Sequence, residues 1–342
     1  MGVNSCFIYS NSIDSSNGIH RFPTPWKSVH MAELGTIWPR FVKPLRPKLT
    51  EQGVGMSLNF EPLKPLAALA SGVDISQPLS PTEVRYIETG MDQFGVLVFK
   101  NQPLTQDQQI NFARHFGPLD VGFGKVKTKG APHRLNYREL GDISNVALDG
   151  GVAARDSQKI VGNIANQLWH SDSSFQHPRA KYSMLSAVEV PKEGGDTEFA
   201  DLRLAFEALP AWRKKQIDGL VAQHHPLHSR FMLGDTHYSE EQRNAITPSH
   251  WPLVQTDRRT GRKILYVGVH ACEIVGMTIA EGRMLIMDLL EHATQREFVY
   301  RHVWTAGDLV MWDNTATVHR GRHFDLSQRR ELRRATTEEV SA

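Results

Sequence analysis

Past residue 56 the chain alternates short apolar runs with amphipathic stretches, and most runs end at a clear stop signal. Ser80-Pro81-Thr82-Glu83 predicts a helix start, with Ser as N-cap, Pro at the first helical position and Glu reaching back, and the helix runs to about Gln93. Gly95-Val96-Leu97-Val98-Phe99 predicts a short buried strand, and Thr105 caps a second helix through Phe116, stopped by Gly117-Pro118. Residues 120–160 have weak periodicity and read as a long loop or lid. Tyr182 to Val190 is β-prone, Gly194-Gly195 marks a tight turn, and Thr197-Glu198-Phe199 follows as a strand. Residues 201–221 carry helical spacing interrupted at Pro210; Ile264–Val267 predicts a strand and 279–292 an amphipathic helix. Phe298–Trp304, Asp308–Trp312 and Thr315–His319 predict successive strands, with Asp313-Asn314 as the turn between the last two. Short strands with inserted helices predict a mainly β core, a barrel or jelly-roll-like sandwich with flanking helices.

Residues 1–55 differ: rich in Ser, Asn and Pro, basic and without sustained period. They are expected to be a disordered or non-native N-terminal extension, with Met56 as the natural beginning and 56–342 as a single domain.

Composition narrows the class. Of 342 residues, 40% are hydrophobic and 22% charged, which suits a globular core that needs no staples. A formal net charge of +2 gives no field for nucleic acid or an anionic membrane, and no apolar run reaches the roughly 18–20 residues of a membrane helix. Cys6 and Cys272 are the only cysteines; they make no disulfide framework or Cys-rich zinc site and fit a reducing cytoplasm.

The candidate chemistry begins at His170-Ser171-Asp172. In an extended segment residues i and i+2 share a face, so imidazole and carboxylate can reach one first-row metal such as Fe(II). Among 16 histidines an isolated His-x-Asp is weak, and a hydrogen-bonded or surface histidine is the ordinary alternative. His319, ending the strand Thr315–Val318, is the best third ligand, and two His with one carboxylate leave positions open for a bidentate cosubstrate and O₂. Downstream lie Arg329-Arg330 and Arg333-Arg334. In a strand Arg330 and Arg334 share one face and Arg329 and Arg333 the other, so two forks can hold two different carboxylates. Trp169, Trp312 and Cys272 read as packing residues, His224, His225 and His228 as surface or loop, and His270 as structural rather than pocket-lining.

The order Trp169-His170-Ser171-Asp172, Gly194-Gly195-Asp196-Thr197, Trp312-Asp313-Asn314, His319-Arg320 and then the arginines resembles the taurine dioxygenase family of Fe(II)/2-oxoglutarate oxygenases, over residues 56–337. The resemblance implies a double-stranded β-helix (jelly roll) with His170, Asp172 and His319 as catalytic metal ligands. It implies that Thr197 and Arg330 bind 2-oxoglutarate, that Arg334 grips a small anionic substrate, and that Lys125 and Asn166 lie on the substrate side. A second substrate-side lysine expected near residue 151 is replaced by Gly151. The implied activity consumes O₂ and 2-oxoglutarate, with ascorbate helpful in vitro, and hydroxylates the carbon beside the ether oxygen of aryloxyacetates such as 2,4-dichlorophenoxyacetate, giving a phenol and glyoxylate with succinate and CO₂. Taurine, other sulfonates, alkyl sulfates and phenoxypropionates are alternative substrates; a non-catalytic binding barrel and a zinc hydrolase are alternative classes. A cytoplasmic homo-oligomer, dimeric or higher, completes the expectation.

Overall fold

A computed structural model describes residues 58–121, 133–236, 238–240, 243 and 247–340; the expected extension 1–55 and Lys125 lie outside them. The strands are β1 (Asn59–Leu63), β2 (Ala67–Ser71), β3 (Val96–Phe99), β4 (Leu140–Ser144), β5 (Ala180–Glu189), β6 (Thr197–Asp201), β7 (Val221–His224) and β8 (Ser249–Pro252). Then follow β9 (Val254–Thr256), β10 (Lys263–Leu265), β11 (Ala271–Ile274), β12 (Val299–His302), β13 (Leu309–Asp313), β14 (Thr317–Gly321) and β15 (Glu331–Glu338). The helices are α1 (Pro81–Phe94), α2 (Gln106–Arg114), α3 (Gln158–Ile164), α4 (Leu202–Ala208), α5 (Ala211–Ile217), α6 (Pro226–Met232) and α7 (Ile279–Ala293).

Local chemistry accounts for the helix ends. Ser80 and Glu83 close the predicted capping box of α1, whose C-terminus is stopped by Gly95 in the left-handed region, its N–H donating to the Met91 carbonyl at 2.8 Å. Thr105 with Gln108 does the same for α2, and Thr278 with Glu281 for α7. The second helix ends at Arg114 rather than Phe116, where the chain tightens into a turn. Pro210 separates α4 from α5, as predicted.

Seven strands form one sheet in the order β1-β2-β3-β13-β5-β15-β4, antiparallel throughout except for β2 beside β3. A three-stranded sheet, β12-β6-β14, provides the opposing layer. Alternation assigns each residue of the large sheet a side. Leu97, Phe99, Tyr182, Met184, Leu309, Met311 and Ala335 pack with Ile87 and Met91 of α1 and Ile110 and Phe112 of α2. Their neighbours Val96, Val98, Leu185, Ala187, Val310, Trp312 and Leu332 pack instead with Phe199 of β6 and Trp304. The small sheet's outer side, Ala200 and Val318, packs with Leu202 and Ala205 of α4 and Leu285 and Leu289 of α7. The mainly β sandwich with flanking helices is thus present.

Two expectations are corrected. The stretch 120–160 is not a structureless lid: β4 pairs with β15 at the sheet edge, and α3 begins at Gln158. Only Leu140 and Ser144 of β4 are buried, so its pattern is nearly silent; pairing with β15, together with Arg134 and Lys159 on Asp142, makes the strand. The turn after β13 is longer than expected and takes in Thr315, which the pattern assigned to the next strand. Asp313 Oδ1 accepts from the Thr315 amide (2.8 Å) and hydroxyl (2.6 Å), and the chain crosses to the small sheet as β14.

One buried ion pair clamps the layers. Asp201, at the end of β6, caps α4 and takes Nε and Nη2 of Arg203 at 3.0 and 2.7 Å, while Nη1 donates to the Asp92 carbonyl at 2.8 Å. A Cβ on Gly95, which has φ of +77°, would stand 2.8 Å from Nη2 and push this guanidinium from its place. Arg203→Met should lower unfolding free energy by about 3 kcal/mol or more, because it strands a buried carboxylate. Urea unfolding checks this, and Asp201→Ser in the same chain should recover part of the loss.

Candidate metal centre and its pockets

The space between the two sheets is lined by alternate residues of β5, β6, β14 and β15. On β14, Thr317 and His319 face inward while Val318 packs outward and Arg320 pairs with Glu198. Phe199 of β6 stands opposite His319, with ring centroids 6.1 Å apart, and Trp312 flanks the same imidazole at 4.6 Å. His170 joins this strand by a reciprocal backbone pair: its N–H donates to the His319 carbonyl (3.0 Å), and its carbonyl accepts from the His319 N–H at 2.8 Å. The two imidazoles, from distant parts of the chain, therefore lie 4.2 Å apart between centroids.

Asp172 occupies the turn that follows rather than an extended strand, so the i, i+2 argument holds at His170 only in part. Polar contacts place it instead. Its amide donates to Asn314 Oδ1 (3.0 Å), the Ser183 hydroxyl donates to Oδ2 (2.7 Å), and Arg334 Nη1 donates to Oδ1. The Nε2 atoms of His170 and His319 each stand 3.8 Å from one of its oxygens. Burial alone would raise this carboxyl, but neighbours led by the Arg334 guanidinium outweigh it and hold it at about 2. Both histidines are pushed down, first by burial, which keeps them neutral as ligands must be. The His170 Nδ1 proton goes to the Leu168 carbonyl (2.7 Å), leaving Nε2 as the lone-pair nitrogen.

The ligand atoms of His170, Asp172 and His319 all lie within 4.8 Å of one another, and all three residues are buried. Two neutral imidazoles and one ionised carboxylate form a donor set that fits a divalent first-row metal with open positions.

Two adjoining cavities share His170, Asn166 and Arg334. The first, about 200 Å³, is lined by Thr197, Arg330, Leu185, Trp312 and Phe324 among others. Arg330 is buried there; its Nη2 donates to the Gly195 carbonyl (2.9 Å), its Nε has no partner, and among the described residues no carboxylate is within ion-pair distance. Burial, partly offset by Asp196, brings it down to about 10. A Cβ on Gly195 would sit 2.9 Å from Arg330 Nε, so the Gly194-Gly195 turn makes room for this side chain. A desolvated guanidinium with unused donors fits a ligand carboxylate. The second cavity, about 110 Å³, lies on the other side, between Asn166, Phe175, Ser229, Arg230, His270 and Arg334.

As the sequence pattern predicts, Arg330 and Arg334 share the inner side of β15, whereas Arg333 turns away and donates to the Leu104 carbonyl and Arg329 pairs with Glu189 and Glu331. Trp169, Trp312 and Cys272 pack as expected. Two histidine readings are corrected: His270 lines the second cavity, and His224 is buried in β7 instead of lying on the surface. Burial overrides the polar character of the His224-His225 pair because β7 is a central strand between β8 and β11. Residues that the pattern did not reveal are Ser183, Asn314, Trp304 and Arg230. Trp304 Nε1 donates to Thr197 Oγ1 (3.0 Å), and Ser183 could have been found from strand parity, since it faces the same side as Leu185.

The profile of the taurine catabolism dioxygenase TauD, TfdA family matches residues 59–336. Over 283 residues the chain is 61% identical to the alpha-ketoglutarate-dependent 2,4-dichlorophenoxyacetate dioxygenase of Cupriavidus pinatubonensis, covering 82% of this chain and 98% of that protein. It is 36% identical over 249 residues to the (S)-phenoxypropionate/alpha-ketoglutarate-dioxygenase of Sphingobium herbicidovorans, covering 70% and 80%. The solved structure of AAD-2 in complex with Mn(II) and N-oxalylglycine superposes with a TM-score of 0.80 at 44% identity, covering 83% of this chain and 99% of that one. The chain belongs to this family, has its jelly-roll core and is a 2-oxoglutarate-dependent dioxygenase. No helix among the described residues is long and apolar enough to cross a membrane.

Beside the metal set, His224 Nδ1 meets the Ser174 hydroxyl at 3.1 Å, and burial, with Arg179 and His250, lowers this histidine to about 3. The unfolded chain takes up its proton near pH 6.5, the folded chain only near 3, so stability is full above about 6.5 and falls as pH drops between those values. At pH 5 the metal-free wild type should have lost about 2 kcal/mol from this residue, and His224→Gln should lose that much less between pH 7 and 5. Urea titrations of both proteins at the two pH values measure the difference.

Proposed function

We propose that this enzyme uses iron(II), 2-oxoglutarate and O₂ to hydroxylate the carbon beside the ether oxygen of aryloxyacetates such as 2,4-dichlorophenoxyacetate. The supporting observation is a pair of guanidiniums beside a buried His/Asp/His set, with Arg330 lining the first cavity and Arg334 lining both. The 61% identity to a protein named for 2,4-dichlorophenoxyacetate supports the choice of acid. Residues 56–342 act as one dioxygenase domain in this reading, in a cytoplasmic homo-oligomer, with no nucleic-acid or membrane partner.

His170, Asp172 and His319 hold the metal, and bound iron(II) with its cosubstrates supplies the oxidising chemistry. Arg330 takes the distal carboxylate of 2-oxoglutarate in its fork. The Trp304 N–H fills one lone pair of the Thr197 hydroxyl, so the hydroxyl proton is directed to that same carboxylate. Leu185, Trp312 and Phe324 form an apolar wall that excludes water around it. On the opposite side Arg334 grips the substrate carboxylate, and Asn166 and Lys125 belong to the same substrate side. Since a carboxylate so anchored is one bond from the methylene, that carbon rather than the ring is presented to the metal set. Hydroxylation there makes a hemiacetal, which collapses to a phenol and glyoxylate, while 2-oxoglutarate leaves as succinate and CO₂.

The test is an O₂-dependent assay with iron(II) and ascorbate over aryloxyacetates, phenoxypropionates, alkyl sulfates and taurine, reading phenol and succinate together. Equal release of phenol and succinate from 2,4-dichlorophenoxyacetate is expected; taurine turnover without phenol release overturns the substrate, and activity that persists without O₂ and rises with zinc overturns the class. Arg330→Gln should raise KM for 2-oxoglutarate about 30-fold, the equivalent of about 2 kcal/mol for a charge-assisted pair, with a smaller change in KM for the aryloxyacetate.

A further inference from the structure

Of the two guanidiniums on β15, Arg334 is already engaged. Its Nη1 donates to Asp172 Oδ1, and its side chain is one-quarter exposed, so it serves the metal set before any substrate arrives. The substrate-side cavity holds one other cation among the described residues. Arg230 projects from α6 into the same space as Asn166, Phe175, Ser229, His270 and Arg334. Its side-chain hydrogen bond runs from Nη1 to the backbone carbonyl of Gly162, which ties α6 to α3. Among the described residues no carboxylate lies within ion-pair distance of it, although Asp235 follows it closely in sequence. Nε and Nη2 thus remain available as donors. The other groups on its lining include an aromatic ring (Phe175), neutral side chains (Asn166, Ser229), imidazoles that burial pushes down (His170, His270) and the Asp172 carboxylate, which Arg334 already engages. Among the described residues no ion pair with an acid neutralises Arg230, and the one carboxylate on the lining, Asp172, is paired with Arg334.

Building on the function proposed above, we infer that Arg230 is a substrate-binding residue that takes the carboxylate of the aryloxyacetate from the α6 side, with Arg334 divided between that anion and Asp172. A cavity of about 110 Å³ lined by two guanidiniums suits an acid whose carboxylate they share. Arg334 then couples the substrate to the metal set, and Arg230 supplies the charge that no protein carboxylate already uses. Phe175 and Pro226 also line this cavity and offer apolar surface to the ring of an aryloxyacetate.

The experiment uses protein loaded with Mn(II) and N-oxalylglycine, which binds but does not react. Calorimetry measures the affinity for 2,4-dichlorophenoxyacetate and for its uncharged primary amide in wild type, Arg230→Gln and Arg230→Lys, with turnover of the iron enzyme followed in parallel. The expected result is a loss of about tenfold or more in affinity for the acid in Arg230→Gln, with the amide little changed, and partial recovery in Arg230→Lys. KM for the acid should rise in step while kcat changes less. Equal affinity of wild type and Arg230→Gln for the acid overturns the assignment. So does a loss shared equally by acid and amide with a lowered Tm, because that is the signature of the Gly162 tie alone. If wild type ignores the acid but binds taurine, and Arg230→Gln weakens that binding, the aryloxyacetate reading fails and the anion role of Arg230 stands. Mn(II) affinity gives an independent readout: Arg334→Gln should weaken it through Asp172, and Arg230→Gln should not.

Discussion

A carboxylate buried between two β-sheets has to be compensated, and the requirement of Asp172 organises this molecule. A hydroxyl from β5 and a guanidinium from β15 donate to its oxygens, two imidazoles from the other layer stand 3.8 Å from them, and Asn314 in the crossing after β13 fixes its backbone by accepting from its N–H. Removing water from a carboxylate costs several kcal/mol, so these contacts are stabilising only as a set, and a partial set would leave an unpaired charge in the core. The two sheets are therefore joined at their centre by polar groups whose geometry is also that of a metal-binding cluster. Stability and chemistry draw on the same side chains.

The sandwich can place these groups because strand parity is strict. Inward and outward neighbours on β15 serve opposite sides of the sheet, so Arg334 reaches Asp172 while Arg333 reaches Leu104 on the α2 side. On β5, Ser183 faces the metal set between Tyr182 and Met184, which pack against helices. A slip of one residue in either strand would exchange core for site and bury two guanidiniums among apolar side chains. The side-to-side fit is reinforced by Asp201 and Arg203, which lock the far end of the strand that begins at Thr197.

Much of this was legible in the residues, for reasons that can be named. Helix caps are local, so Ser80 and Thr105 mark helix starts in sequence and structure alike. The arginine pattern after His319 is likewise local to one strand, and its two-sided reading survives intact. What escaped was made by tertiary pairing. β4 has almost no apolar signal and exists because β15 offers it an edge. His224 lies in a polar-looking pair, yet β7 is central in its sheet and buries it. Asp172 was placed in an extended segment, while the chain turns there and Asn314, distant in sequence, sets its position. Arg230 carries no motif at all; only the folding of α6 against α3 brings it to the cavity.

The two sides of the metal set differ in a way that matches two different ligands. Arg330 is deeply buried, held by a backbone carbonyl in a space that glycine alone leaves open, and flanked by apolar walls. A site so fully built suits one invariant molecule, since any change in ligand length would leave the guanidinium desolvated and unpaired. Arg334 and Arg230 sit in a smaller space with mixed walls, one guanidinium shared with Asp172 and the other carried by a short helix and tied to one backbone carbonyl. Such a side tolerates acids of different shape while still requiring a negative charge. On the function proposed above, the cosubstrate is recognised by depth and fit, and the substrate by charge first and shape second. The relatives named for 2,4-dichlorophenoxyacetate and (S)-phenoxypropionate differ in the acid their names carry and share alpha-ketoglutarate, which is the division that these two sides would produce.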